Sequence, residues 1–158
     1  MTLPFALLLT LSAEQAQVPA TFITREEHEQ VLKEQTAKNV VDQPIKASNV
    51  LGGKASVARL RRVKPEASAL IHDYVTETYY IMSGSGTFVT GGSLGGAKPT
   101  DLNNVNAGMS QTGTRIGGES RKVGPGDIVI IPAGTPHSFS QLDAPISYLV
   151  YRFEPSAK

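Results

Sequence analysis

The sequence has no cysteine and no tryptophan, and only three of its 158 residues are histidine. Without cysteine there is no disulfide, no thiolate nucleophile and no Cys-ligated zinc, so any metal must be held by His, carboxylate or water. Net charge is almost absent too: 15 basic against 14 acidic residues leave +1. That balance offers no bulk attraction to nucleic acid or to an anionic membrane surface. Nor is there an apolar run long enough to span a bilayer. The stretch "LPFALLLTLSA" (3–13) falls well short of the roughly 20 residues a spanning helix needs. It has the length of a signal-peptide h-region, with cleavage sites offered after Ala13 or Ala16, although no Lys or Arg precedes Arg25. Residues 1–17 therefore read in two ways. A signal peptide implies a secreted or periplasmic protein; an N-terminal arm packed on the domain or on a partner subunit implies a cytoplasmic one.

What the sequence does have is enough apolar material for one domain, 40% of residues, and many turn formers, with 15 Gly and 10 Pro. Residues 18–43 read as an extension carrying one helix. Thr24 and Glu27 form a capping box, and the run to about Ala37 is built of good helix formers. His28 lies among Glu26, Glu27 and Glu29 and reads as a solvated surface histidine. From Pro44 to the end the pattern is β. Runs at 56–63, 68–74, 77–82, 86–91, 127–132, 137–142 and 146–154 favour strand and are separated by Gly, Pro and Asn clusters. Many short strands and one helix predict an all-β sandwich or barrel, with a jelly roll as one form. Residues 91–123, rich in Gly, Asn, Ser and Thr, read as a long loop with at most a short hairpin near "TRIGG".

Two stretches carry the chemistry. In "GDIVIIPAGTPHSFSQ" (126–141) an apolar strand ends in a tight corner and His137 opens the next strand. The two-residue strand period puts His137, Phe139 and Gln141 on one face. In "HDYVTETYYIM" (72–82) the same period aligns Glu77, Tyr79 and Ile81. His72 has the opposite parity to Glu77, so a turn or bulge must intervene for both to face inward. Given that turn, His72, Glu77 and His137 converge inside a barrel. Two imidazoles and a carboxylate are a sufficient set for a divalent transition metal.

Tyr79 would face inward as an orienting phenol or an acid, with Ile81 and Phe139 as apolar walls and Gln141 nearby. Arg61, on an early strand with Arg59, would bind a carboxylate if it pointed inward; the competing reading is a solvated edge strand. Of Tyr148 and Tyr151, which have opposite parity, at most one reaches the cavity.

These stretches resemble the motifs of the cupins, small β-barrel proteins of the germin and bacterial conserved-barrel type. The second cupin motif, G-x5-P-x-G-x2-H-x3-N, is met at Gly126, Pro132, Gly134 and His137, with Gln141 in place of Asn. The first, G-x5-H-x-H-x3-4-E-x6-G, is met at His72, Glu77 and Gly84. Leu70 stands where the first histidine is expected, and Lys64 where the leading glycine is. The resemblance covers about residues 50–154 and implies a cupin-type barrel over 44–158. It implies a metal site of His72, Glu77 and His137, one ligand short of the family's four, for a divalent transition metal such as Zn, Fe, Mn or Ni. A small-molecule enzyme (an oxygenase, isomerase or lyase) is the first functional expectation, and a sugar- or small-acid-binding cupin without turnover is the second. A homodimer is implied as well, since such barrels often pair and "ISYLVY" suits an interface.

Overall fold

The structure is a computed structural model and describes residues 19–156. Both readings of residues 1–17 lie outside the described residues. The helix α1 spans Arg25–Lys38 and begins as the sequence predicts: Thr24 accepts from the Glu27 amide, and the Glu27 carboxylate accepts from the Thr24 amide. It ends at Asn39, whose left-handed backbone closes the last turn.

Eleven strands follow among the described residues: β1 Asp42–Val50, β2 Gly53–Arg62, β3 Ala69–His72, β4 Thr76–Ser83, β5 Gly86–Thr90, β6 Ser93–Asp101, β7 Met109–Ile116, β8 Glu119–Val123, β9 Ile128–Ile131, β10 His137–Leu142 and β11 Ile146–Pro155. They form two antiparallel sheets. One has the order β1-β2-β11-β4-β9 and the other β6-β7-β3-β10-β5-β8. The chain passes from one sheet to the other at β2–β3, β3–β4, β4–β5, β8–β9, β9–β10 and β10–β11, a jelly-roll path. The core lies where the sheets face each other. Leu60, Tyr79, Ile81, Tyr148 and Val150 of the first sheet meet Phe88, Val123 and Phe139 of the second. The rings interlock across the gap, with Tyr79–Phe88 and Phe139–Tyr148 centroids both 5.6 Å apart. Among the described residues no helix is long and apolar enough to cross a membrane.

The structure corrects three expectations about local structure. Residues 91–123 are not a long loop: they hold β6, β7 and β8, which extend the second sheet at both edges. β6 and β8 are exposed along most of their length, so neither carries the apolar alternation by which a strand is read. Gly113 of β7 serves a close approach of backbones; a Cβ there would lie 2.9 Å from the Gly95 carbonyl oxygen on the paired β6. His28 is not a free surface histidine, because its Nε2 lies 2.8 Å from the Arg59 guanidinium. Burial, then the charge of Arg59, lowers its pKa. The third correction concerns Arg59 itself. It is 5% exposed, on the outer face of β2 beneath α1, rather than on a solvated edge. Its guanidinium reaches Ser147 at 2.9 Å, and its carbonyl accepts from the fully buried Gln35 of the helix.

Candidate metal centre in the barrel

The site is assembled from both sheets. Glu77 stands on β4 of the first sheet, His72 ends β3 of the second, and His137 opens β10 beside it. The sheet change between His72 and Thr76 is the turn that their opposite parity requires. Beyond β9, the corner Pro132–Gly134 brings the chain across to β10. Gly134 has φ +78°, a left-handed backbone that glycine adopts without strain, and its amide donates to the His72 carbonyl at 2.8 Å. The corner thereby ties the two histidine-bearing segments together.

The three side chains are almost fully buried, at 3%, 1% and 4% exposure for His72, Glu77 and His137. The Nε2 atoms of His72 and His137 lie 3.3 and 3.4 Å from the same carboxylate oxygen, Oε2 of Glu77. One ligand atom from each residue falls within 4.8 Å of the others. Two ligands bound at about 2.1 Å and about 100° apart are separated by about 3.2 Å, so the spacing suits an ion between them.

The outer nitrogens are also arranged for ligation. Ser110 Oγ has two carbonyl acceptors, Ala107 at 3.3 Å and Gly108 at 3.2 Å, so it is free to accept from His72 Nδ1–H at 2.8 Å. His137 Nδ1–H donates to the Thr135 carbonyl at 3.0 Å. With the rings neutral, as ligation requires, both contacts leave Nε2 as the lone-pair nitrogen; with a proton on it, the same Nε2 donates to Glu77 Oε2 instead. The residues present therefore fit a divalent transition metal.

Glu77 is held on its other side by Arg152 of β11, whose Nε donates to Oε1 at 2.8 Å. The same guanidinium binds Asp42 of β1, with an NH2–Oδ2 distance of 2.5 Å, and the Val105 carbonyl at 2.6 Å. Tyr79 donates its phenol to Glu77 Oε2 at 2.9 Å. Burial pushes the Glu77 carboxyl up, but hydrogen bonds from His137 and His72, the His72 charge and Arg152 outweigh it and hold the group well below the carboxylate range. Burial works against a charge on His137, yet the acceptor and charge of Glu77 leave its pKa above the ordinary imidazole value. Burial, then the charge of Glu77, drives the Tyr79 phenol well above its usual value, so it is a neutral donor. For Asp42, burial lifts the carboxyl above its ordinary value while Arg152 opposes the rise.

Of the other residues expected at the site, Ile81 and Phe139 are buried in the core at 0% and 1% exposure, and Tyr79 stacks edge-on to His137 with centroids 6.3 Å apart. Gln141 is not brought in. A bulge between Phe139 and Gln141 in the pairing with β5 breaks the alternation, and Gln141 lies exposed, donating to Asp143. Arg61 is not brought in either: it shares the outer face of β2 with Arg59 and lines a shallow groove of about 270 Å³ with Asn39, Val41 and Lys64. The arginines that point inward are Arg62, which donates to Tyr148 at 2.8 Å, and Arg152. Arg152 was legible in principle, since it shares strand parity with Tyr148 and Val150. A larger groove of about 1090 Å³ lies between residues 19–23 and the β1–β2 region, and none of the three ligand residues lines it.

A family model described as an AraC-like ligand binding domain matches residues 110–157, a stretch that contains His137 and Arg152 but neither His72 nor Glu77. No curated protein matches. Among solved structures, the BH2720 protein of Bacillus halodurans is 16% identical, with 89% of this chain and 86% of that one covered at a TM-score of 0.51. The DMSP lyase DddQ of Ruegeria pomeroyi is 19% identical over 68% of this chain and 41% of its own, with a TM-score of 0.43. A cupin superfamily protein of Desulfitobacterium hafniense is 11% identical over 72% and 76%, with a TM-score of 0.44. At such identities a likeness speaks to fold alone. The Bacillus structure, the one of these three with a TM-score above 0.5, agrees with the two-sheet jelly-roll barrel seen here.

Proposed function

We propose that the protein is a metal-dependent cupin enzyme acting on a small organic molecule inside the barrel. The observation that carries this reading is the convergence of His72 Nε2, His137 Nε2 and Glu77 Oε2, with each imidazole's outer nitrogen already committed to an oxygen. His72, His137 and Glu77 would hold the ion, which as Zn, Fe, Mn or Ni would act as a Lewis acid on a substrate oxygen. Three protein ligands leave positions open, and Leu70, where a fourth would stand, keeps one more open. Tyr79 holds Glu77 Oε2 and keeps its proton, which makes it an orienting donor. Phe139, Ile81 and Phe88 exclude water and limit the substrate's size.

A second reading is a sugar- or small-acid-binding cupin without turnover. It is favoured by the full hydrogen bonding of Glu77 to Arg152 and Tyr79, and by the ligand-binding description of the matching family model. Metal analysis of protein expressed in metal-replete medium separates the two. One equivalent of metal, lost in His137→Ala, supports the enzyme reading, whereas metal-free protein in both cases rejects it.

The proposal includes a homodimer. Tyr80, Ile128, Ile130, Tyr151 and Phe153 are all more than 40% exposed on adjacent strands of the first sheet, an apolar area that suits a second copy. Light scattering should give twice the chain mass, and a monomer reading at micromolar concentration would dismiss the pairing.

A further inference from the structure

Arg152 uses all three guanidinium nitrogens on acceptors from three different segments. Nε serves Glu77 Oε1, NH2 serves Asp42 Oδ2, and NH1 serves the Val105 carbonyl, at 2.8, 2.5 and 2.6 Å. Its side chain is 3% exposed, and that of Asp42 is 20% exposed. This geometry makes the two oxygens of Glu77 unlike. Oε2 faces both imidazoles, while Oε1 faces a fixed cation and is closed to a second cation.

Charge follows the same division. A guanidinium this close to the centre would oppose a dication, yet Asp42 lies on its far side and cancels it. Glu77 then keeps its own charge for whatever sits between the histidines. A purely structural ion pair has no need of this order, with the acid that cancels the arginine on one side and the acid that faces the histidines on the other.

We infer that Asp42 and Arg152 are a positioning pair for the metal centre: Arg152 confines Glu77 to ligation through one oxygen, and Asp42 neutralises the guanidinium that would otherwise repel the ion. The inference rests on the metal reading above. It explains why a site with a missing histidine stays open rather than recruiting the second oxygen of Glu77 in its place.

The test uses the full chain and cobalt(II), whose visible absorption weakens as its coordination number rises. Asp42→Asn keeps an acceptor for Arg152 but removes the cancelling charge; its cobalt affinity should fall about 10–100-fold, with the band shape unchanged. Arg152→Met frees Oε1, so its band should weaken and shift as the carboxylate becomes bidentate. Thermal melts of the metal-free proteins report folding separately. Should Arg152→Met not fold, Asp42→Asn decides alone. Wild-type affinity and spectrum in Asp42→Asn, whatever its melting temperature, would make the pair structural only and overturn the inference while leaving the metal reading intact. No cobalt binding by the wild type would remove both.

Discussion

Glu77→Gln perturbs the centre with the smallest change in shape. In the native site Oε1 accepts from Arg152, and Oε2 accepts from Tyr79 while facing two imidazoles. Glutamine has one carbonyl oxygen and no charge: with that oxygen on Arg152, the Tyr79 hydroxyl loses its acceptor, and turned the other way an NH2 group meets the Arg152 guanidinium. Removing one partner of a buried ion pair costs about 3–5 kcal/mol, and Arg152 keeps Asp42 and Val105, which places the cost near about 3 kcal/mol. For a chain of this size each 1 kcal/mol moves the melting temperature by about 2–4 °C, so the metal-free variant should melt about 6–12 °C below wild type. Calorimetry on chelator-treated protein measures this. Adding metal at a thousandfold excess over its dissociation constant should stabilise wild type by about 4 kcal/mol, and the variant by far less. A variant that melts within 2 °C of wild type, or that gains as much from metal, would refute the assignment of Glu77 as both a clamped anion and a ligand.

Tyr79→Phe keeps the ring packing and deletes one hydrogen bond to a charged acceptor; urea unfolding should show a loss of about 1.5–3 kcal/mol without change in m-value. Metal affinity should rise with pH. The pKa of His137 is raised, so the stability its proton gives the metal-free fold is complete below the ordinary imidazole value and lost as pH climbs through the raised one; Glu77, held low, contributes above the carboxylate range and loses its contribution only as pH falls through its depressed value. Metal uptake must displace the His137 proton, so calorimetric titration in two buffers near neutral pH should register proton release that fades in more alkaline solution. Leu70 shares strand parity with His72 and pairs with His137, so Leu70→His should restore a fourth ligand and tighten metal binding by tenfold or more, about 1.4 kcal/mol, in a competition titration.

Much of the site was legible because two turns with strong local signals carry it. Gly126 and Gly134, both at positive φ, bracket the Ile128–Ile131 strand and fix where His137 emerges. Glu77 and Tyr79 follow from strand period alone. Other parts were illegible for physical reasons. Strands β6 and β8 have solvent on most residues, so no alternation marks them, and Gly95 and Gly96 of β6 mimic a loop. Gln141 was misplaced because a bulge is invisible to a strict period of two. Arg152 was overlooked because a charged residue near a strand end ordinarily faces water; its burial depends on Asp42, which lies 110 positions away in sequence. Ser110 and Thr135, which hold the outer imidazole nitrogens, act through one hydroxyl and one backbone carbonyl, and neither leaves a mark in sequence.

The central claim is that one metal ion sits among His72, Glu77 and His137. Anomalous diffraction from crystals grown in a transition metal, collected on both sides of that metal's absorption edge, tests it most directly. The account predicts a single strong peak about 2.0–2.2 Å from His72 Nε2, His137 Nε2 and Glu77 Oε2, with Oε1 still on Arg152. Metal-replete crystals with no peak there, and with the Glu77 oxygen bridged only by protonated imidazole, would contradict it.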